Sequence, residues 1–194
     1  MRIVAGTWRG RVLAAPPGQA TRPTSDRVRQ AMFDMLLHAR WGGRTVVEGA
    51  KVLDGFAGTG ALGLEALSRG AASAVFMERD RAALGALQAN ITAMRATAQC
   101  RVLAADTLAP PRGEPCGLVF LDPPYGQGLV PRAMAALAAA GWLAGDALVV
   151  AETGREEALE LPGAMCADRV HGVARVSFWR LGVEPGAYEL SLRR

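Results

Sequence analysis

From Lys51 to Glu152, short apolar runs alternate with longer segments of helical spacing, and no other feature of the 194-residue chain constrains its fold as tightly. The runs are "KVLD" (51–54), "SAVFME" (73–78), "RVLAAD" (101–106), "GLVFLD" (117–122) and "ALVVAE" (147–152). Their apolar residues are continuous rather than alternating, as in strands buried on both faces. Helices are predicted between them near 60–69, 80–95 and 130–140. This order specifies a mostly parallel sheet with helices on both faces. "DRVHGVARVSFWRLG" (168–182) follows as two β-leaning runs around Gly172, a predicted hairpin closing the sheet edge and bringing the total to seven strands. The length suits a single domain.

The first four runs end in acids that form a candidate rim: Asp54, Glu78, Asp106 and Asp122. Parallel strands place such residues along one edge, and ligands of open α/β sheets bind beyond the carboxyl ends of the strands. The first run leads into "DGFAGTGALGLEAL", where Gly55, Gly58 and Gly60 let the backbone approach a ligand without an intervening Cβ. Gly58 to Gly63 matches G-x-G-x-x-G, and Glu78 lies 20 residues after Gly58, where a carboxylate accepts from ribose hydroxyls. A nicotinamide-dependent enzyme is therefore a rival reading. Asp54 argues against it. A carboxylate at the strand end repels a pyrophosphate but suits a cationic ligand such as S-adenosylmethionine (AdoMet), which carries an ammonium and a sulfonium. Asp106 is placed to accept from an adenine amino group or to cap the turn that follows it.

"VFLDPPYGQG" (119–128) ends the fourth run on Asp122 and then locks the backbone twice. Pro123 and Pro124 have fixed φ and no N–H. Asp122 and the Pro123 carbonyl become two rigid acceptors, matching the two hydrogens of an exocyclic amino group. Held so, the nitrogen lone pair leaves conjugation with the ring and points at a methyl sulfonium. Tyr125 can stack on the base, and Asp122 can help remove the surplus proton. Catalysis of this kind is orientation plus electrostatic support. An ordinary strand-end turn explains "DP" alone but not D-P-P-Y in this setting.

Ahead of this core lies a basic segment. Residues 1–44 hold eight arginines and two acids, a charge of +6, whereas the remaining 150 residues carry −2. "RIVAGTWRGRVLAA" predicts a small hairpin with Trp8, Arg9 and Arg11 near its tip. "RPTSDRVRQAMFDMLLHA" predicts a helix with Thr24 or Ser25 as N-cap and a core stripe of Val28, Met32, Met35, Leu36 and Ala39. A basic arm on a slightly acidic body fits a polyanion-binding surface as well as a merely solvated one. Three cysteines without a C-x-x-C pair and two isolated histidines give no zinc or haem spacing, and no metal is expected. The beginning "MRIVAGTWRG" has no signal-peptide core, and the longest uncharged stretch, 133–145, is too short to span a bilayer. A soluble cytoplasmic protein is expected.

In "RIVAGTWRGRVL", "RPTSDRVRQAMFDML", "VLDGFAGTGALGLEALSRGA", "VFMERD" and "VFLDPPY", which occur in order between Arg2 and Leu181, the chain resembles the RsmD family. These are bacterial enzymes that methylate guanine N2 of 16S ribosomal RNA. The resemblance implies a Rossmann-like class I AdoMet-dependent methyltransferase, one domain over 1–194. Residues 1–44 would form an RNA-facing hairpin and helix, 45–182 the catalytic core, and 183–194 a tail. It implies AdoMet held by Asp54, Gly55, Phe56, Gly58 and Gly60, with Glu78 at the ribose and Asp106 at the adenine. Catalysis falls to Asp122, Pro123, Pro124 and Tyr125, and RNA contact to Arg9, Arg11, Arg22, Arg27 and Arg29. Many family members have Phe where this chain has Tyr125, and either ring can stack. The lack of a separate RNA-binding domain fits a substrate that is a partly assembled small-subunit particle, with no obligate protein partner and no membrane. The competing readings are another nucleic-acid amino methyltransferase (DNA adenine or cytosine, or a different RNA), a protein glutamine methyltransferase, the nicotinamide enzyme, and a catalytically silent nucleic-acid-binding module.

Overall fold

Lys51–Gly55 (β1) and Cys116–Leu121 (β4) lie at the centre of the sheet, and the apolar Val52–Leu53 and Leu118–Leu121 runs follow from burial on both faces. A computed structural model describes residues 1–16 and 25–184. The remaining elements are α1 (Asp26–His38), α2 (Ala61–Ser68), β2 (Ser73–Glu78), α3 (Arg81–Ala93), β3 (Cys100–Ala104), α4 (Leu129–Ala139), β5 (Leu143–Gly154), β6 (Ala164–His171) and β7 (Ala174–Arg180). The strand order is β3-β2-β1-β4-β5-β7-β6. The first five strands are mutually parallel, and β7 runs antiparallel to both of its neighbours.

The expected hairpin at the end of the sheet forms, but it does not simply close the edge. Its second strand, β7, inserts beside β5, from the pair Leu148–Arg180 to Gly154–Ala174, and pushes β6 to the edge. The helices cover the two faces unequally. On one face, α1, α2, α3 and the N-terminal segment pack over Phe76, Phe120 and Phe178. On the other, α4 packs over Leu53, Val119 and Val149, with Trp142 and Trp179 filling the space beside it.

α1 starts at its expected place. Ser25 Oγ accepts from the Val28 N–H at 3.2 Å, while Thr24, the other expected cap, lies outside the described residues. The buried stripe of α1 is Arg29, Met32, Phe33 and Leu36. The expected stripe is thus turned toward Arg29 and Phe33, leaving Val28, Met35 and Ala39 half-buried. Arg29 enters the core because a carboxylate waits there. Its Nε lies 3.5 Å from Glu65 of α2, and its Nη2 lies 2.9 Å from Asp26.

The same Glu65 reshapes the N-terminal segment. Its side chain accepts from the N–H groups of Val4 (2.7 Å) and Ala5 (3.0 Å) and from Arg69 Nε (2.7 Å). Thr7 N–H donates to the Ser68 carbonyl and Trp8 N–H to Ser68 Oγ. These donors therefore go to α2 instead of to a cross-strand ladder. The expected hairpin is present in short form: Ile3 N–H donates to the Arg11 carbonyl, Gly10 N–H to the Ile3 carbonyl and Leu13 N–H to the Met1 carbonyl around the antiparallel bridge Arg2–Val12, with Trp8 and Arg9 in the turns between.

Candidate active site

Three of the four acids expected at the rim share one electrostatic field. Asp54, inside β1, is only 2% exposed, and its Oδ2 accepts from Gly63 N–H at 2.8 Å in the first turn of α2. Burial, with added repulsion from Asp122 and Glu78, holds its carboxyl well above the usual range against the opposing pull of the Gly63 bond. The ends of β1, β2 and β4 thus bring three acids close enough that Asp122 and Glu78 both act on Asp54. Glu78 closes β2 and organises the glycine loop. One of its oxygens accepts from Gly58 N–H at 2.8 Å, and the other from the N–H groups of Arg79 and Asp80 at the same distance.

The loop between β1 and α2 is shaped for close approach. Phe56 is held at φ +62°, a left-handed conformation unusual for a residue with a Cβ, with its N–H donating to Thr107 Oγ1 at 3.2 Å. Gly58, at φ +53°, faces open space where a Cβ would stand. Gly63 is required for the opposite reason. A Cβ there would lie 2.4 Å from Phe76 Cε1, so α2 can sit this close to β2 only without one.

Asp106 lies two residues past the end of β3. Its Oδ1 accepts from Leu108 N–H at 2.9 Å, the turn-capping role, and its Oδ2 pairs with Arg79 at 2.7 Å. The Leu108 N–H, together with Arg79 and Arg132, keeps the carboxyl below its usual range despite partial burial. It remains an ionised acceptor at the rim.

Asp122 and Pro123 follow β4 directly. Asp122 is half-buried and Pro123 buried, while Pro124 and Tyr125 face solvent, Tyr125 at 40% exposure. The corner is pinned from behind by two acids that are absent from the expected site. The Tyr125 hydroxyl donates to Glu152 at the end of β5. Glu157, in the connection after β5, accepts from the N–H groups of Gly126 and Gly154, each at 2.8 Å. Its carboxyl is held low, chiefly by the Gly126 N–H. Glu152 carries the same signal as the four rim acids, because "ALVVAE" also ends in a carboxylate. Thr107 and Glu157 carry no such signal.

The arginines divide. Arg9, Arg11 and Arg27 are exposed. Arg22 lies outside the described residues. Arg29 must be corrected: at 0% exposure, ion-paired to Glu65 and donating to the Arg2 carbonyl, it is part of the internal framework and presents no surface to RNA. The arm's turns are fastened at Ser68, the last residue of α2, whereas the glycine loop precedes its first. The eight residues of α2 separate them by about 12 Å.

The chain matches, over residues 1–179, a family described as "Conserved hypothetical protein 95". It is 41% identical over 161 residues to ribosomal RNA small subunit methyltransferase D of Escherichia coli K12, covering 82% of this chain and 77% of that protein. It is 36% identical over 167 residues to the protein of the same name from Haemophilus influenzae, covering 84% and 83%. Among solved structures, E. coli yhhF superposes with a TM-score of 0.79 at 37% identity, over 95% of this chain and 99% of that one. The Thermus thermophilus 16S rRNA N2 G1207 methyltransferase, solved with AdoMet and guanosine, shares the fold at TM-score 0.61 and 23% identity, over 85% of this chain and 44% of that one.

Proposed function

The chain belongs to the family of the ribosomal RNA small subunit methyltransferases D, and we propose that it transfers a methyl group from AdoMet to the exocyclic N2 of a guanine in 16S ribosomal RNA. The observation that carries this reading is the convergence of Asp54, Glu78 and Asp122 beside a proline-locked corner. A carboxyl pushed up by burial, and further by two neighbouring acids, is relieved by a bound cation and aggravated by a pyrophosphate. The residues present therefore fit AdoMet better than a dinucleotide.

When bound, AdoMet supplies a methyl group on a sulfonium, whose sulfur keeps the C–S electron pair as the N2–CH3 bond forms. Asp54 and the open face at Gly58 receive the charged amino-acid end. Glu78, already fixed by three backbone N–H groups, accepts at the ribose. Asp106 accepts at the adenine. Asp122 and the Pro123 carbonyl take the two N2 hydrogens and orient the lone pair, and Asp122 stabilises the positive charge that develops on nitrogen before one proton leaves. Tyr125 stacks on the extruded base.

Arg9, Arg11 and Arg27 supply phosphate contacts, and the substrate is 16S RNA within a small-subunit assembly particle in the cytoplasm. Among the described residues no helix is long and apolar enough to cross a membrane. The test is incubation of the purified protein with AdoMet and small-subunit particles from a strain lacking this chain, followed by mass mapping of 16S RNA fragments. One N2-methylguanosine should appear. No incorporated methyl group, or a methyl group on another base, would refute the reading.

A further inference from the structure

Glu152 is the strand-end acid that the reading above assigns neither to the cofactor nor to the amine. It sits near the end of β5, opposite Val176 of β7, and is 3% exposed. Together with Pro123, Pro124, Tyr125, Thr153 and Leu159 it lines a cavity of about 120 Å³. Burying a carboxylate costs free energy that hydrogen bonds must offset. The Tyr125 hydroxyl donates one such bond, and a carboxylate offers about four lone-pair sites in all.

The nucleobases that carry an exocyclic amine differ in the ring atom next to it on the Watson–Crick edge. In adenine it is N1, and in cytosine N3, each presenting a lone pair. In guanine it is N1–H, a donor. A corner that grips an amine with two acceptors treats all three alike. A carboxylate beside that corner does not, because it accepts from guanine N1–H and confronts the lone pair of the other two.

We propose that Glu152 is the specificity-determining residue of the base site, accepting the N1–H of guanine while Asp122 and the Pro123 carbonyl hold the N2 amine, and refusing adenine and cytosine by lone-pair repulsion. This rests on the methyltransferase reading above and adds to it the basis of base selection. The attractive contact and the repulsive one act together, as specific sites require. Sites built on a buried hydrogen bond discriminate strongly against analogues that lack the partner atom. Tyr125 contributes its ring for stacking, and its hydroxyl takes up one of the carboxylate's acceptor sites without being needed for the selection.

The test uses 16S RNA in which the mapped target guanine is replaced by 2-aminopurine through ligation, assembled into particles. This base keeps the amine but has no hydrogen on N1. The wild-type protein should methylate it at least about 100-fold more slowly in kcat/KM than guanine. Glu152→Gln should lose at least about 10-fold on guanine and bring the two bases within a few-fold of each other, with AdoMet affinity unchanged. Tyr125→Phe, which removes the hydroxyl but keeps the ring, should retain most of the preference whatever its absolute rate. Equal wild-type rates on both bases would overturn the proposal even if the Gln variant failed to fold. So would a Gln variant that keeps the wild-type ratio, or an equal loss of preference in both variants, which would reduce Glu152 to an anchor for the ring. A wild-type protein that methylates neither base refutes the methyltransferase reading itself.

Discussion

Glu65→Ala is the substitution through which the buried framework can be measured. In the wild-type protein this side chain receives Val4 N–H, Ala5 N–H, Arg69 Nε and, at 3.5 Å, Arg29 Nε. Removing it takes one carboxylate from the fully buried Arg29 guanidinium and leaves the pairing with Asp26 in place. Breaking a buried pair from one side typically costs about 3–5 kcal/mol. The two backbone donors would add about 1–3 kcal/mol each if they stayed buried. The N-terminal segment can instead detach and hydrate them, which limits the total to about 4 kcal/mol and frees the arm. With a denaturant slope of about 2 kcal/mol/M, the urea midpoint should fall by about 2 M. Trypsin should then cut at Arg9 and Arg11 under conditions in which the wild-type arm resists. Glu65→Gln, which retains one acceptor oxygen, should fall between the two. A midpoint within about 0.3 M of wild type would refute the assignment of Arg29 and Glu65 to the framework, and with it the correction that removes Arg29 from the RNA surface.

Asp54 provides a pH signature. Its folded-state carboxyl titrates above the ordinary value of 3.8, so the folded protein holds the extra proton between those two points, and stability falls as pH rises through that window. Asp54→Asn should flatten this part of the pH–Tm curve and raise the Tm of the cofactor-free protein at neutral pH; parallel curves would contradict it. Gly63→Ala should destabilise by about 1–3 kcal/mol through overpacking on Phe76, measured by urea unfolding. Replacing Arg9, Arg11 and Arg27 with alanine should reduce the log–log salt slope of RNA binding by roughly 0.7–0.9 for each phosphate that is no longer neutralised. An unaltered slope would mean these side chains face elsewhere.

Periodicity made the parallel core legible. The strands occur at or within a few residues of their expected places, because runs buried on both faces announce themselves in composition. β5 is the exception: it begins at Leu143, four residues ahead of the expected run, where glycine and aspartate interrupt the apolar pattern. The insertion of β7 between β5 and β6 leaves no local trace, since both neighbours are chosen by tertiary pairing. Arg29 shows the same limit. An arginine reads as surface until its carboxylate, 36 positions away on another helix, is known. The N-terminal hairpin is shorter than a full pair of strands for a related reason, because the N–H groups of Val4, Ala5, Thr7 and Trp8 go to Glu65 and Ser68. In the site, strand-end acids and the glycine loop were legible because chemistry and backbone geometry coincide there. Thr107 and Glu157 act through loop backbone, which has no sequence period.

In the proposed reaction, a rigid acceptor pair at Asp122 and the Pro123 carbonyl activates an amine for methyl transfer. The most direct measurement is single-turnover methylation of small-subunit particles by Asp122→Ala, alongside AdoMet binding by calorimetry. Binding should stay within a few-fold of wild type while the rate falls by at least about two orders of magnitude, the scale of removing one positioned hydrogen-bonding group from a transition state. An unchanged rate would contradict the account.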